Sequence, residues 1–366
     1  MPVKVILVAG ARPNFMKAAP LFLEMKRFPS AFRPILLHTG QHYDYEMSKV
    51  FFEDLNLPEP DYFLGVGSGT HAEQTARIMI EFEKVLHEEN PNLVVVFGDV
   101  NSTLACSITA KKVLIPVAHV EAGLRSFDMT MPEEINRKVT DAISDILFTP
   151  SRDGNDNLVR EGIEKDKIHF VGNIMIDSLV SIIKRIDPFY EDEILRKFGL
   201  KRNNFVLVTV HRPSNVDDKN NFLKIINFLD TLSARMSVIF PIHPRTKNSM
   251  KELGKGFVSN GAFQVVKPLR YKEFIVLEKN ARFVITDSGG IQEETTFLGI
   301  PCLTLRSNTE RPITVTQGTN ELATLENAGE KASSILLGNW KQGETPKLWD
   351  GNAARRIVDI IKTMRF

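Results

Sequence analysis

Short, β-rich apolar runs alternate with helix-length amphipathic stretches along this chain, and the alternation occurs twice. The first series is VKVILVA (3–9), RPILLHT (33–39), LVVVFGD (93–99), PVAHVE (116–121), DILFTP (145–150) and KIHFVG (167–172). The second is NFVLVTVH (204–211), SVIFPIH (237–243), FQVVKP (263–268), RFVITD (282–287) and IPCLTL (300–305). The runs are apolar on both faces, the pattern of parallel strands covered by helices. Between them, 70–90, 101–113, 133–144, 218–235 and 289–298 have helical length. Such alternation builds βαβ units and a doubly wound sheet. The restart near residue 204 makes two α/β domains, and 366 residues suits two at ~150 residues each.

The boundary is expected at 172–190, where a helix gives way to IDPFYEDE and then a short helix; Pro188 and the acids around it read as a connector. The expected domains are 1–172, joined by the C-terminal helix 350–366, and 173–349. In that last helix Ile357, Ile360, Ile361 and Met364 share a face that must cover something.

Charge narrows the function. Lys plus Arg number 46 and Asp plus Glu 45, for a net charge of +1, which argues against a broad nucleic-acid platform. No apolar run approaches the ~20 residues of a membrane span. The opening MPVKVILVAGARPNF has a short apolar run cut by Arg-Pro, unlike a secretion signal. Cys106 and Cys302 form no disulfide framework or CxxC site, and no Cys/His/Asp cluster has metal-ligand spacing. A reducing, cytoplasmic setting is expected.

In open α/β sheets ligands bind beyond the carboxyl ends of the strands, so the residues just after each run matter most. After the first comes Gly10-Ala11-Arg12-Pro13-Asn14, then Lys17 in a helix. This is neither GxGxxG nor a GxxxxGK[ST] phosphate loop, so no nicotinamide or other cofactor is expected. Asp99 follows the third run, where it also suits an N-cap, and Glu121 the fourth, beside Ala-Gly. Pro132-Glu133-Glu134, with Arg137 beyond, reads on its own as an ordinary first helical turn. His211 and His243 end strands in the second half, as histidines there often do without a catalytic role. After RFVITD, Ser288-Gly289-Gly290 opens a helix whose backbone N–H groups and Ser288 hydroxyl suit an anion, with Glu294 one turn on, in reach of a ribose. Arg12, Lys17 and three carboxylates in one half, and an anion and ribose site in the other, suit a nucleoside diphosphate held against an acid/base centre. His38, His71, His87, His119 and His169 read as structural; His42, in a TGQHYD turn, reads as a cleft residue.

Six ordered motifs now stand out: GARPNFMK (10–17), FGD (97–99), HVEAGLR (119–125), PEEINR (132–137), TDSGGIQEE (286–294) and TERP (309–312). With them the chain resembles the non-hydrolysing UDP-N-acetylglucosamine 2-epimerase family. The resemblance implies a glycosyltransferase-B-like fold, two Rossmann-like domains with the active site in the cleft between them, in a homodimer. It implies interconversion of UDP-N-acetylglucosamine and UDP-N-acetylmannosamine for surface-polysaccharide synthesis. Residue by residue, it puts the catalytic carboxylates on Asp99, Glu121 and Glu133. Phosphate binding falls on Arg12, His211, Ser288, Gly289 and Gly290, and ribose binding on Glu294. Lys17 and Arg137 match further substrate-binding positions. Glu133 and His211 rest mainly on the resemblance.

Two departures carry an expectation. Many bacterial members bind a second substrate molecule as an activator, using the second Arg of a His-Arg-Arg-Glu-Asn motif, a Gln soon after the Gln-His pair, and a further Arg. Here the motif reads His211-Arg212-Pro213-Ser214-Asn215, Gln41-His42 is followed by Tyr43-Asp44, and 65–75 holds no Arg. The rate should therefore depend hyperbolically on substrate; a sigmoidal initial-rate curve contradicts this. Relatives acting on UDP-2,3-diacetamido uronic acids share the Gly-Ala-Arg-Pro opening, which leaves that substrate as the alternative. A hydrolysing epimerase and a glycosyltransferase of the same fold are the other enzymatic rivals; a binding-only regulator would have no use for three carboxylates.

Overall fold

The computed structural model describes residues 1–41, 52–252 and 261–366. It divides into two compact units, Met1–Ser181 with Lys347–Phe366, and Ile182–Pro346. His42, Tyr43 and Asp44, which figured in the cleft and activator readings, lie outside the described residues.

The first unit contains β1 (Val3–Ala9), β2 (Phe32–His38), β3 (Tyr62–Phe63), β4 (Leu93–Phe97), β5 (Val117–Val120), β6 (Ile146–Thr149) and β7 (Ile168–Phe170). They form one parallel sheet in the order β3-β2-β1-β4-β5-β6-β7. The second unit contains β8 (Phe205–Thr209), β9 (Ser237–Pro241), β10 (Phe263–Val266), β11 (Phe283–Thr286), β12 (Cys302–Leu305) and β13 (Asn320–Ala323), parallel in the order β10-β9-β8-β11-β12-β13. Both are doubly wound sheets of Rossmann type. In such sheets the crevice opens where the strand order reverses. That is beyond the ends of β1 and β4 in the first unit, and of β8 and β11 in the second.

Helices cover both faces, which explains why the strands read as uninterrupted apolar runs. In the first unit, the helix His71–Glu89 lays Ile78, Phe82, Val85 and Leu86 against Ile6, Val8, Val94 and Val96. It starts at Thr70, whose hydroxyl takes the Glu73 N–H at 3.2 Å while the Glu73 carboxylate takes the Thr70 N–H at 3.0 Å, a reciprocal cap. In the second unit the core gathers Val206, Val208, Phe222, Phe240, Phe283 and Leu303.

The C-terminal helix Ala353–Thr363 belongs to the first unit. Its first N–H groups, from Ala353 and Ala354, donate to the Asp177 carboxylate at 3.1 and 2.8 Å. Its buried stripe is Ala353, Ala354, Ile357, Val358 and Ile361, with Ile360 and Met364 at the margin. Three elements depart from the sequence reading. IDPFYEDE is not a connector: Asp187 caps the helix Pro188–Lys197, accepting the Tyr190 N–H at 2.9 Å, and Pro188 is its first residue. Asp-Pro is a helix-start signal, and it outweighs the acidic composition. The short edge strands β3 and β13 carry too few apolar residues to register as runs.

Candidate active site

At the end of β1 the chain turns through Gly10 and Ala11 into the helix Arg12–Lys26. A side chain on Gly10 would fall on Ser102, which explains the glycine. The Asn14 carboxamide oxygen accepts the Ala11 N–H at 3.0 Å, and its nitrogen donates to the Phe97 carbonyl at 2.7 Å. One residue thus shapes the turn after β1 and ties it to the end of β4. One turn further along, Lys17 is buried and forms an ion pair with Glu121. Gly98, at φ 64°, lies beneath this pair; a Cβ there would come within 2.9 Å of the Lys17 ammonium.

Glu121 follows β5 at φ 78°, a left-handed conformation that costs a non-glycine residue about 1–3 kcal/mol. The N–H groups of Glu121 and Ala122 both donate to the Phe148 carbonyl, at 3.1 and 3.0 Å. The strand therefore breaks its alternation here, and the carboxylate is delivered to the sheet's end beside Lys17. Gly123 follows at φ 80°, packed so closely on Gly154 that no side chain fits.

Asp99 ends the β4 loop. Its carboxylate pairs with Arg137, and its carbonyl accepts from the Asn136 carboxamide at 2.8 Å. Both partners lie on the helix Pro132–Ile143. The two glutamates opening that helix have different fates. Glu134 is fully buried and accepts from the Ser126 N–H and hydroxyl, both at 2.9 Å, from the Phe127 N–H at 3.1 Å, and from Arg137 at 2.8 Å. Burial opposes its ionisation, but those donors and the Arg137 charge hold its carboxyl below the ordinary range. It is an anchor; Glu133, in the same turn, is half-buried.

In the second unit, Asp287 follows β11 and is fully buried. It accepts the N–H groups of His211 at 3.0 Å and Arg212 at 2.8 Å, and the Asn215 carboxamide at 3.0 Å. The His211 Nδ1 is 3.4 Å from the same carboxylate. Asp287 thus shapes the loop after β8, fixing His211 at the reversal point of the sheet. Next to it the helix Gly289–Leu298 begins, with Ser288 at its N-cap and no side chain capping its first turn. Uncapped N–H groups at a helix start, with the positive end of its dipole, favour an anion. A Cβ on Gly289 would meet Arg311 and Glu310. Glu310 is ion-paired with Arg311 and Arg306; burial opposes them, yet the two guanidinium groups hold its carboxyl far below the usual range. Arg311 also reaches Glu293 at 2.9 Å. Glu294 is buried and accepts from the Tyr271 hydroxyl at 2.5 Å.

Within the first unit, then, Asp99, Glu121, Lys17 and Arg137 gather at one sheet end, with Glu133 in the turn that opens the Arg137 helix. Within the second, His211, Ser288, Gly289 and Gly290 gather at the other reversal point, and Glu294 lies a turn into the same helix. Arg12 is the first residue of its helix. His119 is structural: buried, it contacts Asp141 at 2.6 Å and the Gly98 carbonyl at 2.8 Å. Asn14, Asn136 and Asp287 escaped the sequence reading. Asp287 carried a usable signal, an acid directly between a strand and a glycine-opened helix.

A family model for UDP-N-acetylglucosamine 2-epimerase matches residues 24–362. A relative of that name from Methanocaldococcus jannaschii is 43% identical over 367 residues, 98% of each chain. One from Pseudomonas aeruginosa, named UDP-2,3-diacetamido-2,3-dideoxy-D-glucuronate 2-epimerase, is 40% identical over 366 residues, covering 98% of this chain and 99% of its own. The crystal structure of M. jannaschii UDP-GlcNAc 2-epimerase in complex with UDP-GlcNAc and UDP matches with a TM-score of 0.89 at 42% identity, over 99% of this chain and 100% of the other. The paired doubly wound units are the glycosyltransferase-B-like fold. With the family model spanning most of the sequence and full-length relatives above 40% identity, the chain belongs to the UDP-N-acetylglucosamine 2-epimerase family.

Proposed function

We propose that the protein interconverts UDP-N-acetylglucosamine and UDP-N-acetylmannosamine by inverting carbon two, eliminating UDP and adding it back. The observation that carries this is the carboxylate pair Asp99 and Glu121, each held by a buried cation beyond neighbouring strands. A carbon without an adjacent carbonyl holds its proton tightly. Loss of that proton to a carboxylate, coupled to cleavage of the bond between carbon one and the diphosphate oxygen, leaves 2-acetamidoglucal and UDP. Return of UDP to carbon one, with a proton delivered to the opposite face of carbon two, gives the epimer.

In this reading Asp99 and Glu121 stand nearest the moving proton, and Glu133 assists by balancing the cationic character of the ring. Arg12, His211, Ser288 and the N–H groups of Gly289 and Gly290 take the charge that builds on the departing diphosphate. Glu294 accepts from the ribose hydroxyls. Lys17 and Arg137 pair with the two working carboxylates and aim them. No step calls for a nicotinamide. The proposal includes a homodimer and a cytoplasmic setting, with which two buried free thiols, Cys106 and Cys302, are consistent.

The test is the product formed in heavy water from UDP-N-acetylglucosamine alone. Each epimer should carry one deuterium at carbon two, with traces of UDP and 2-acetamidoglucal after long incubation. Product without that deuterium ends the elimination reading, free N-acetylmannosamine points to a hydrolysing enzyme, and no reaction without an acceptor points to a glycosyltransferase. The P. aeruginosa relative favours a second reading, the same chemistry on a UDP-2,3-diacetamido uronic acid; relative kcat/KM on the two sugars separates them.

A further inference from the structure

Glu278, on the helix Tyr271–Asn280, is fully buried and has no part in the scheme above. Neither of its carboxyl oxygens receives an N–H or O–H from another described residue. Facing it is the carboxyl of Glu294, itself buried, on the helix that begins at Gly289. Two facing carboxyls can hydrogen-bond only when one of them carries a proton, and the Tyr271 hydroxyl, which donates to Glu294, favours the charge there and the proton on Glu278. Among the described residues no Lys or Arg pairs with either acid. The other groups facing the pair are Tyr271, which donates to Glu294 at 2.5 Å, Glu293, whose charge is met by Arg311, and Cys302 on β12, with Lys341 beyond it.

We infer that Glu278 is a positioning residue kept as a neutral carboxylic acid, which donates a hydrogen bond to the Glu294 carboxylate and so holds it charged and oriented for the ribose. The inference deepens the proposed role of Glu294 and rests on it. The electrostatic surroundings agree. Burial, reinforced by the neighbouring Glu294 charge, pushes the Glu278 carboxyl well above its ordinary value. Burial also raises Glu294, to about 7, with Glu293 adding to the rise and the Tyr271 and Glu278 donors opposing it. Two adjacent buried acids release their protons in separated steps that belong to the pair. Above about pH 7 the pair carries one charge, on Glu294.

The sign follows. Glu294 accepts best when ionised, so the ribose contribution to UDP binding is present above about pH 7 and fades below it. The readout is the ratio of dissociation constants for 2′,3′-dideoxy-UDP and UDP, measured by calorimetry against pH; the phosphates titrate alike in both and cancel. In the native protein this ratio should collapse as pH falls through about 7. Glu278→Met removes the donor, so its midpoint should move up by about one pH unit or more. Glu278→Gln keeps a donor and should leave the midpoint near the native one. Glu294→Gln should abolish the preference for UDP at every pH. An unmoved midpoint in Glu278→Met overturns the inference while the ribose reading stands; an unchanged preference in Glu294→Gln overturns the ribose reading and the binding role of Glu278 with it. Infrared difference spectra of native protein against Glu278→Gln at neutral pH report the protonation directly. A protonated-carboxyl carbonyl band should vanish in the variant, and its absence from the native protein refutes the neutral acid whatever Glu294 binds.

Discussion

Glu121→Gln and Asp99→Asn should each lower turnover by ~100-fold or more while UDP still binds, because positioned acid–base groups contribute about 10²–10⁴ in rate. The geometry makes this sharper than a generic alanine scan. Glu121 occupies a left-handed backbone position that an uncommitted strand end would avoid. Its carboxylate is buried against Lys17, so an isosteric amide changes charge and proton affinity with little change of shape. Asp99 is one-quarter exposed and shares Arg137 with Glu134. Its amide variant therefore leaves Arg137 paired, and stability should hold. The controls are the UDP dissociation constant by calorimetry and the urea unfolding midpoint. Neither carboxylate is among the groups proposed to hold the diphosphate, so UDP affinity should change little in either variant. Near-normal kcat in both removes these carboxylates from the chemistry.

How much of this was legible in the sequence depended on whether the signal was local. The sheets were, because parallel strands covered on both faces appear as unbroken apolar runs, and β1, β4, β8 and β11 were each marked this way. The edge strands β3 and β13 were not, being short and partly exposed. Asp187-Pro188 was misread because an acidic, proline-bearing segment suits a linker and a helix start equally, and only the cap hydrogen bond to Tyr190 decides.

In the site, residue types were legible and pairings were not. Lys17 was read as a cation for the ligand, and it does lie at the sheet end, but its partner is Glu121, far away in sequence. Arg137 likewise bridges Asp99 and Glu134. In Pro-Glu-Glu, nothing local says which glutamate is the anchor. The answer lies in the Ser126 and Phe127 donors, which converge on Glu134 from the preceding loop. Asp287, Asn14 and Glu278 were missed for the same reason: each acts through partners brought close only by folding.

The largest stability effect is expected not at a catalytic carboxylate but behind one, at Asp141. This residue is fully buried, with Arg125 at 2.7 Å, His119 at 2.6 Å and the Gly123 N–H at 3.1 Å. The other His119 nitrogen faces the Gly98 carbonyl at 2.8 Å, so both ring nitrogens point at oxygen. Asp141→Asn removes a buried negative charge from this cluster, leaving Arg125 with Glu161 alone. Removing one partner from a buried ionic cluster costs about 3–5 kcal/mol, so urea unfolding at neutral pH should show a loss of that size. Burial alone would raise the Asp141 pKa, yet His119 and Arg125 hold it below its ordinary 3.8. A depressed carboxyl stabilises the fold above its unfolded pKa, and that contribution is lost as pH falls through the folded value. The gap between native protein and variant should therefore be full near pH 7 and narrow below about pH 4. An unfolding free energy within about 0.5 kcal/mol of native at pH 7, the range of an ordinary surface change, would show that the cluster is not what holds β5 and its strained glutamate in place. If it is, turnover should fall as well, because Gly98 and Gly123, the two glycines flanking Glu121 in space and in sequence, are both tied to this network.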